Sequence, residues 1–258
     1  AVGRLAAINT AGAIAGSLAA GFVLLGGVGL WGGIRVVAVL YLALALLVAG
    51  GAPRARPLRA ASAVALLLVV SLLDPARLPI VEIRSEKGER LVEVQEGAAG
   101  IVSVVARKDD RRLKGDNHYS LGGSAGRQLE GVQADLPLAL AGHGRSVYFL
   151  GVGTGITAGA ALRHPVEQVT AVELIPEVLA AARRYFAPFA HGLFEDPRVT
   201  LVLADGRPHL ALSDARWDVI VSDLFVPWQA GAASLYTREH FASVRAHLAE
   251  GGLFAQWL

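Results

Sequence analysis

The chain has 258 residues, of which 53% are hydrophobic and 18% charged, with a mean hydropathy of +0.48. About a quarter of an ordinary soluble domain is charged, so this composition excludes a disordered, collagen-like or low-complexity chain and argues against a purely soluble one. The formal net charge of +2 hides an asymmetry: residues 1–80 carry six arginines and one acid, Asp74, whereas residues 81–258 carry 18 basic and 21 acidic side chains. Positive charge beside apolar segments is how a membrane protein places it, and a mildly acidic body does not read as a nucleic-acid binder. There is no Cys, which excludes a disulfide framework, a zinc–thiolate site and a catalytic thiol. There is no Met either, so the chain reads as a central excerpt of a longer protein.

From Leu5 to Trp31 no side chain is ionisable, and such a run is long enough to span a bilayer. Gly32-Gly33 is expected to break the pattern, with a second span over Ile34 to Gly50 and Arg35 near its start. Gly12 and Gly16 form a G-x-x-x-G, a spacing that lets helices approach closely in lipid. Arg54, Arg56 and Arg59 mark the cytoplasmic side by the positive-inside rule. Ala60 to Leu73 is short for a span and reads as a re-entrant or interfacial helix, which leaves the body in the cytoplasm. The expectation is a multi-pass membrane protein whose partners include the lipid bilayer.

Pro75 and Pro79 mark a linker. Residues 81–84, 90–95 and 101–106, with a short stretch near Leu113, alternate or are β-branched, and residues 81–121 read as an antiparallel sheet of hairpins. Leu129 to Leu140 is expected to be a helix. From Ser146 the pattern becomes strand, helix, strand, helix: strands over Val147–Leu150, Val169–Leu174, Val199–Ala204, Trp217–Leu224 and Gly252–Trp257, and helices over Ile156–Arg163, Pro176–Phe186 and Tyr236–Ala249. This alternation predicts a parallel sheet with helices on both faces. The fold class expected is α/β: a Rossmann-like, methyltransferase-type sheet, C-terminally incomplete, preceded by a small antiparallel β region and N-terminal transmembrane helices. The domains expected are 1–80, 81–143 and 144–258.

In an open α/β sheet ligands bind at the carboxyl ends of the strands. Four features fall there. Gly151, Gly153, Thr154 and Gly155 follow the first Rossmann strand, where glycines let the backbone approach a ligand and the next helix favours polar oxygen. Glu173 ends the second strand, 20 residues beyond Gly153, a spacing suited to ribose hydroxyls. Asp205-Gly206 follows the third strand, where the carboxylate either reaches an adenine amine or caps a turn. Asp223 ends the fourth strand, an acid in apolar surroundings. The seven histidines show no metal-ligand spacing, and no metal is expected.

The segments GVGTGITAGAAL (151–162), AVELIPEV (171–178), ADGR (204–207), WDVIVSDLFVPW (217–228), LYTREHF (235–241) and GGLFAQWL (251–258), with LKGDNHYSLGG (113–123), resemble the spermidine synthase, or polyamine aminopropyltransferase, family, and most of all its membrane-fused bacterial branch. The resemblance implies transfer of an aminopropyl group from decarboxylated S-adenosylmethionine to a small amine. It implies Gly151, Gly153 and Gly155 against the nucleoside, Glu173 on the ribose, Asp205 on the adenine amine and Asp223 as the general base. Relatives form dimers or tetramers, so it also implies a homo-oligomer. The chain departs from the family's pattern at several carboxylates. Val226 stands where a second acid follows the fourth strand, and Thr154 where a loop Asp binds the donor's amine. Ala98-Ala99-Gly100 replaces a Tyr-Gln, and the Tyr-His-Glu before the first Rossmann strand is absent from Gln128 to Gln133. Glu130 and Asp135 are the nearby acids, neither at a matching position. The expectation is an altered amine acceptor. Two alternatives stand beside it: a methyltransferase using S-adenosylmethionine itself, suggested by the Gly-x-Gly-Thr-Gly turn, and a non-catalytic nucleoside- or polyamine-binding regulatory module, suggested by the lost carboxylates.

Overall fold

The apolar head and the alternating body form two units, Ala1–Val81 with Glu96–Gly100, and Glu82–Gln95 with Ile101–Leu258. The structure is a computed structural model, and it describes residues 2–48, 61–66, 68, 81–97, 99–116, 119–222 and 231–257. Asp223, Val226 and Trp228, the arginines at 54, 56 and 59, the prolines at 75 and 79, and Ala98 lie outside those residues.

In the first unit the head is helical from Val2 to Val48, as α1 (Val2–Ala19), a π-helical turn (Ala20–Leu24) and α2 (Leu25–Val48). The expected break at Gly32-Gly33 does not occur; the backbone departs from helical geometry at Gly29, with φ 70° and ψ 178°. Only glycine tolerates that conformation cheaply. The helix resumes at once, because an apolar segment satisfies its backbone groups best within itself. Val2–Ala45 is one helical run long and apolar enough to cross a membrane. Large apolar side chains such as Val2, Phe22 and Leu47 are mostly exposed. Of the expected third segment, residues 61–66 and 68 are helical.

In the second unit, apart from the ends of β1 and β2 at Glu96–Gly100, the strands β1 (Arg90–Gly97), β2 (Gly100–Arg107), β3 (Asp110–Gly115) and β4 (Tyr119–Gly123) form a sheet in sequence order, with antiparallel β2–β3 and β3–β4 pairings. Residues 81–84 are not a strand. The backbone of Arg84 is used locally: its N–H donates to Glu89 Oε2, and its carbonyl accepts from Lys87 and Glu89 around the turn Ser85–Lys87. A ladder has no groups left to pair with there.

Helix α3 (Arg127–Ala141) leads into five parallel strands: β5 (Ser146–Leu150), β6 (Gln168–Glu173), β7 (Val199–Leu203), β8 (Trp217–Ser222) and β9 (Leu248–Gln256). Their order is β7-β6-β5-β8-β9. Between them run α4 (Ile156–Ala160), α5 (Pro176–Tyr185), α6 (Gly206–Ala211) and α7 (Arg238–His247). The expected helix to Arg163 tightens to 3-10 geometry at Ala161, and α6 had no counterpart in the sequence reading. Leu248 and Ala249, expected in the last helix, belong to β9, where Leu248 pairs with Trp217.

Side-chain alternation along β5 shows why the sheet is buried on both faces. Val147 and Phe149 pack with Ala134, Leu138, Ala158 and Ala160 from α3 and α4. Tyr148 and Leu150 point the other way, against Leu210 of α6 and Val244 of α7. Each fully buried large side chain of this kind contributes about 1.5–3 kcal/mol. The small sheet buries Val102, Val104 and Leu113 against Ile156 and against Val178, Ala181 and Phe186 around α5. This brings β4 beside the turn that follows β5.

Candidate active site

The strand order reverses at β5: β6 and β7 lie on one side, β8 and β9 on the other. That is the switch point at which an α/β sheet opens a crevice beyond its carboxyl ends. Leu150 pairs with Val172 on one side and with Ser222 on the other. The Gly151–Gly155 turn and the end of β6 therefore emerge together, and β8 carries the chain to the residue before Asp223.

Gly151, Gly153 and Gly155 have φ of 90°, 54° and 79°, all in the range that disfavours other residues. The turn is fastened by Glu173. Its Oε2 accepts from Val152 N at 3.1 Å and Gly153 N at 3.2 Å, and its Oε1 accepts from Ile175 N at 3.0 Å. Glu173 is 7% exposed. One carboxylate thus ties the first two strand ends together. A carboxylate offers about four lone-pair sites, so positions remain for ligand hydroxyls. Leu174, next to it, is mostly exposed and offers apolar surface beside the acid. Helix α4, beyond the glycine turn, has five residues and continues as a 3-10 turn over Ala161–Arg163.

Asp205 caps α6: its Oδ1 accepts from Arg207 N at 3.0 Å. The turn it belongs to is anchored from below by Tyr148, whose hydroxyl donates to Gly206 O at 3.1 Å and meets His209 Nδ1 at 3.0 Å. Burial, and then the charge of Asp205, push the Tyr148 phenol far above its usual value, so it acts as a neutral donor. The sequence hid this residue, because Tyr148 occupies an ordinary apolar strand position.

The structure also brings Glu130 of α3 to the glycine turn, which sequence spacing did not reveal. Thr154 Oγ1 donates to Glu130 Oε2 at 2.5 Å, and Gly123 N at the end of β4 donates to Glu130 Oε1 at 2.7 Å. Burial raises the Glu130 carboxyl above its usual range, and the bonds from Thr154 and Gly123 only partly oppose this. Asp135 is elsewhere: it pairs with Arg163 at 2.5 Å and with His164 at 2.8 Å on the outer side of α3. Gly151, Gly153, Thr154, Gly155 and Glu173 therefore form one group, joined by Glu130. Asp205 and Gly206 stand one strand further out, and Asp223 lies outside the described residues.

Residues 131–257 match the spermine/spermidine synthase domain. The polyamine aminopropyltransferase of Corynebacterium efficiens is 30% identical over 267 residues, covering 97% of this chain and 50% of the relative. A polyamine aminopropyltransferase from Synechococcus is 42% identical over 112 residues, which is 43% of this chain and 36% of the relative. The chain thus spans half or less of the length of these curated relatives. Among solved structures, spermidine synthase from Thermotoga maritima superposes with a TM-score of 0.58 at 25% identity, covering 64% of this chain and 56% of the other. A Rossmann-like sheet with a small antiparallel sheet before it, together with these matches, makes residues 131–257 similar to the spermine/spermidine synthase family.

Proposed function

We propose that the chain is a spermidine synthase-like aminopropyltransferase attached to a membrane through its N-terminal helix. The observation that carries this is the glycine turn held by the buried Glu173 at the switch point of the sheet. The donor is decarboxylated S-adenosylmethionine. Glu173 accepts from its ribose hydroxyls, the Gly151–Gly155 backbone lies along the nucleoside, and Asp205, exposed at the end of β7, receives the adenine amine.

The chemistry needs little from the protein beyond position and one proton acceptor. The lone pair of an amine nitrogen attacks the methylene bonded to the donor's sulfonium. The new C–N bond forms as the C–S bond breaks, and its electron pair returns to sulfur to give neutral methylthioadenosine. A protonated amine has no lone pair, so Asp223 takes a proton from the acceptor. The leaving group is already activated, and alignment supplies most of the remaining acceleration. No metal enters this scheme. Val226 in place of an acid favours an amine other than a simple diamine, because each end of a diamine is cationic and seeks a carboxylate.

The helical run Val2–Ala45 supports membrane attachment, and Arg54, Arg56 and Arg59 support a cytoplasmic catalytic domain. Calorimetric titration of the full chain in detergent with methylthioadenosine and decarboxylated S-adenosylmethionine tests the reading. Saturable binding of both is expected, and failure to bind either overturns it.

A further inference from the structure

Helix α3 is apolar on two sides. Ala134 and Leu138 face inward and pack in one cluster with Val147 and Phe149 of β5. Leu129, Val132, Leu136 and Leu140 face outward and are 71%, 45%, 47% and 68% exposed. At about 100° and about 1.5 Å per residue, these four form a ridge roughly 16 Å long within roughly 80° of arc. Single exposed leucines are ordinary on a protein surface, but an ordered ridge of four marks an interaction face. The two acids of the helix are engaged away from the ridge: Glu130 meets Thr154 and Gly123, and Asp135 meets Arg163 and His164. From residue 125 to residue 145 every exposed ionisable side chain is basic. These are Arg127 at the start of the helix, and His143 and Arg145 beyond its end, Arg145 also pairing with Glu167.

We propose that the outward ridge of α3 docks the catalytic unit onto the surface of the lipid bilayer to which the N-terminal helix attaches the chain. The inference rests on the membrane-attachment reading above. Through Val2–Ala45 the chain tethers its own second unit to a bilayer, and a tether raises the effective concentration of that surface, so a small apolar contact suffices. An interfacial helix sinks its apolar face about 5–10 Å into the boundary between headgroups and acyl chains and keeps its charges at headgroup level. Here the four ridge residues supply the apolar face. Basic residues at both ends, with no exposed acid between them, suit anionic headgroups. On its other side the same helix presents Glu130 to the glycine turn, so docking holds the candidate active site one helix diameter, about 10 Å, from the lipid.

The chain has no Cys, so single cysteines carry a nitroxide spin label without background. The full chain is reconstituted in vesicles of phosphatidylcholine and phosphatidylglycerol, and flotation of the vesicles reads its membrane attachment. Labels are placed at Val132→Cys, Leu136→Cys and Leu140→Cys. The aqueous control is Ala211→Cys, an exposed residue of α6 on the opposite face of the sheet. At the ridge positions, collisions with lipid-soluble oxygen are expected to exceed those with a water-soluble nickel chelate, reading a depth of about 5–10 Å, and at Ala211 the order is expected to reverse. Adding Leu136→Glu and Leu140→Glu to the Val132→Cys chain places charge on exposed sites that the core does not use. That variant is expected to float as before, with its label returned to the aqueous pattern of Ala211. Ridge labels with the aqueous pattern on a chain that floats overturn the docking of α3 and leave membrane attachment standing. Ridge labels shielded from both reagents reveal protein on the ridge, a second copy where the labels broaden one another, and also overturn it. A chain that does not float overturns both readings.

Discussion

Replacing Glu173 by alanine removes the fastening of the glycine turn. Three backbone N–H groups lose their acceptor: Val152 N, which is buried, and Gly153 N and Ile175 N, which are partly buried. A buried donor left without a partner costs about 1–3 kcal/mol, and one that water can reach costs less. Taking about 2 kcal/mol for Val152 and about 1 kcal/mol for each of the others gives a loss of about 4 kcal/mol. Glu173→Gln keeps one acceptor oxygen. If it serves the two turn amides, the amide nitrogen faces Ile175 N–H, donor against donor, and the loss is about 2 kcal/mol. Urea unfolding of the detergent-solubilised chain, followed by tryptophan fluorescence, measures both, and the ordering wild type, Gln, Ala is expected. Binding of methylthioadenosine is expected to fall more than stability does in the Gln variant, since the ribose contact loses its charge. An alanine variant as stable as wild type would refute the claim that this carboxylate holds the turn.

Gly159 of α4 leaves no room for a side chain: a Cβ would meet Ala190 O at 2.0 Å, a backbone atom that cannot step aside. Gly159→Ala is therefore expected to destabilise by about 3 kcal/mol or more in the same urea assay. His240 is buried, neither ring nitrogen has a partner among the described residues, and burial followed by the charge of Arg207 lowers its pKa. Stability is then fully present above the unfolded value near 6.5 and lost as pH falls through the lower folded one, and His240→Phe is expected to flatten that slope and add about 1 kcal/mol. Asp218 Oδ2 accepts from Arg145 N, Ser146 N and Ser146 Oγ; burial raises its carboxyl, but these bonds prevail and hold it below the usual range. Its contribution is present above the unfolded value of about 3.9 and lost as pH falls through the folded one, so melting curves of Asp218→Asn are expected to show a weaker acid dependence than wild type. For the head, the full chain is expected to stay with membranes through an alkaline carbonate wash, and its release would contradict membrane attachment.

The α/β architecture was legible because β5, β6 and β8 are short apolar runs bounded by Gly or by polar turns, and such runs have few alternatives between short helices. The glycine turn and Glu173 were legible for the same reason: both fall at strand ends, and strand ends are easy to place. Residues 81–84 misled because their apolar alternation competes with a local turn fastened by Glu89, which periodicity does not register. Gly29 and Gly32-Gly33 are equivalent by composition, and only the backbone shows which one gives way. Glu130 was hidden for a deeper reason. Its meeting with Thr154 depends on how α3 and β4 pack beside the turn, 24 residues away in sequence, and no local pattern encodes that contact. Asp205 carried two readings, and its bond to Arg207 N shows that the capping one holds whatever ligand it also meets.

The central claim is the transfer of an aminopropyl group. Product analysis by mass spectrometry tests it most directly: the full chain is incubated with each sulfonium donor and a panel of amines, beside an Asp223→Asn variant. Methylthioadenosine and an amine heavier by one aminopropyl group are expected from the decarboxylated donor, with turnover falling by about 100-fold or more in the variant. S-adenosylhomocysteine and a methylated product, or no turnover with any amine, would contradict the account.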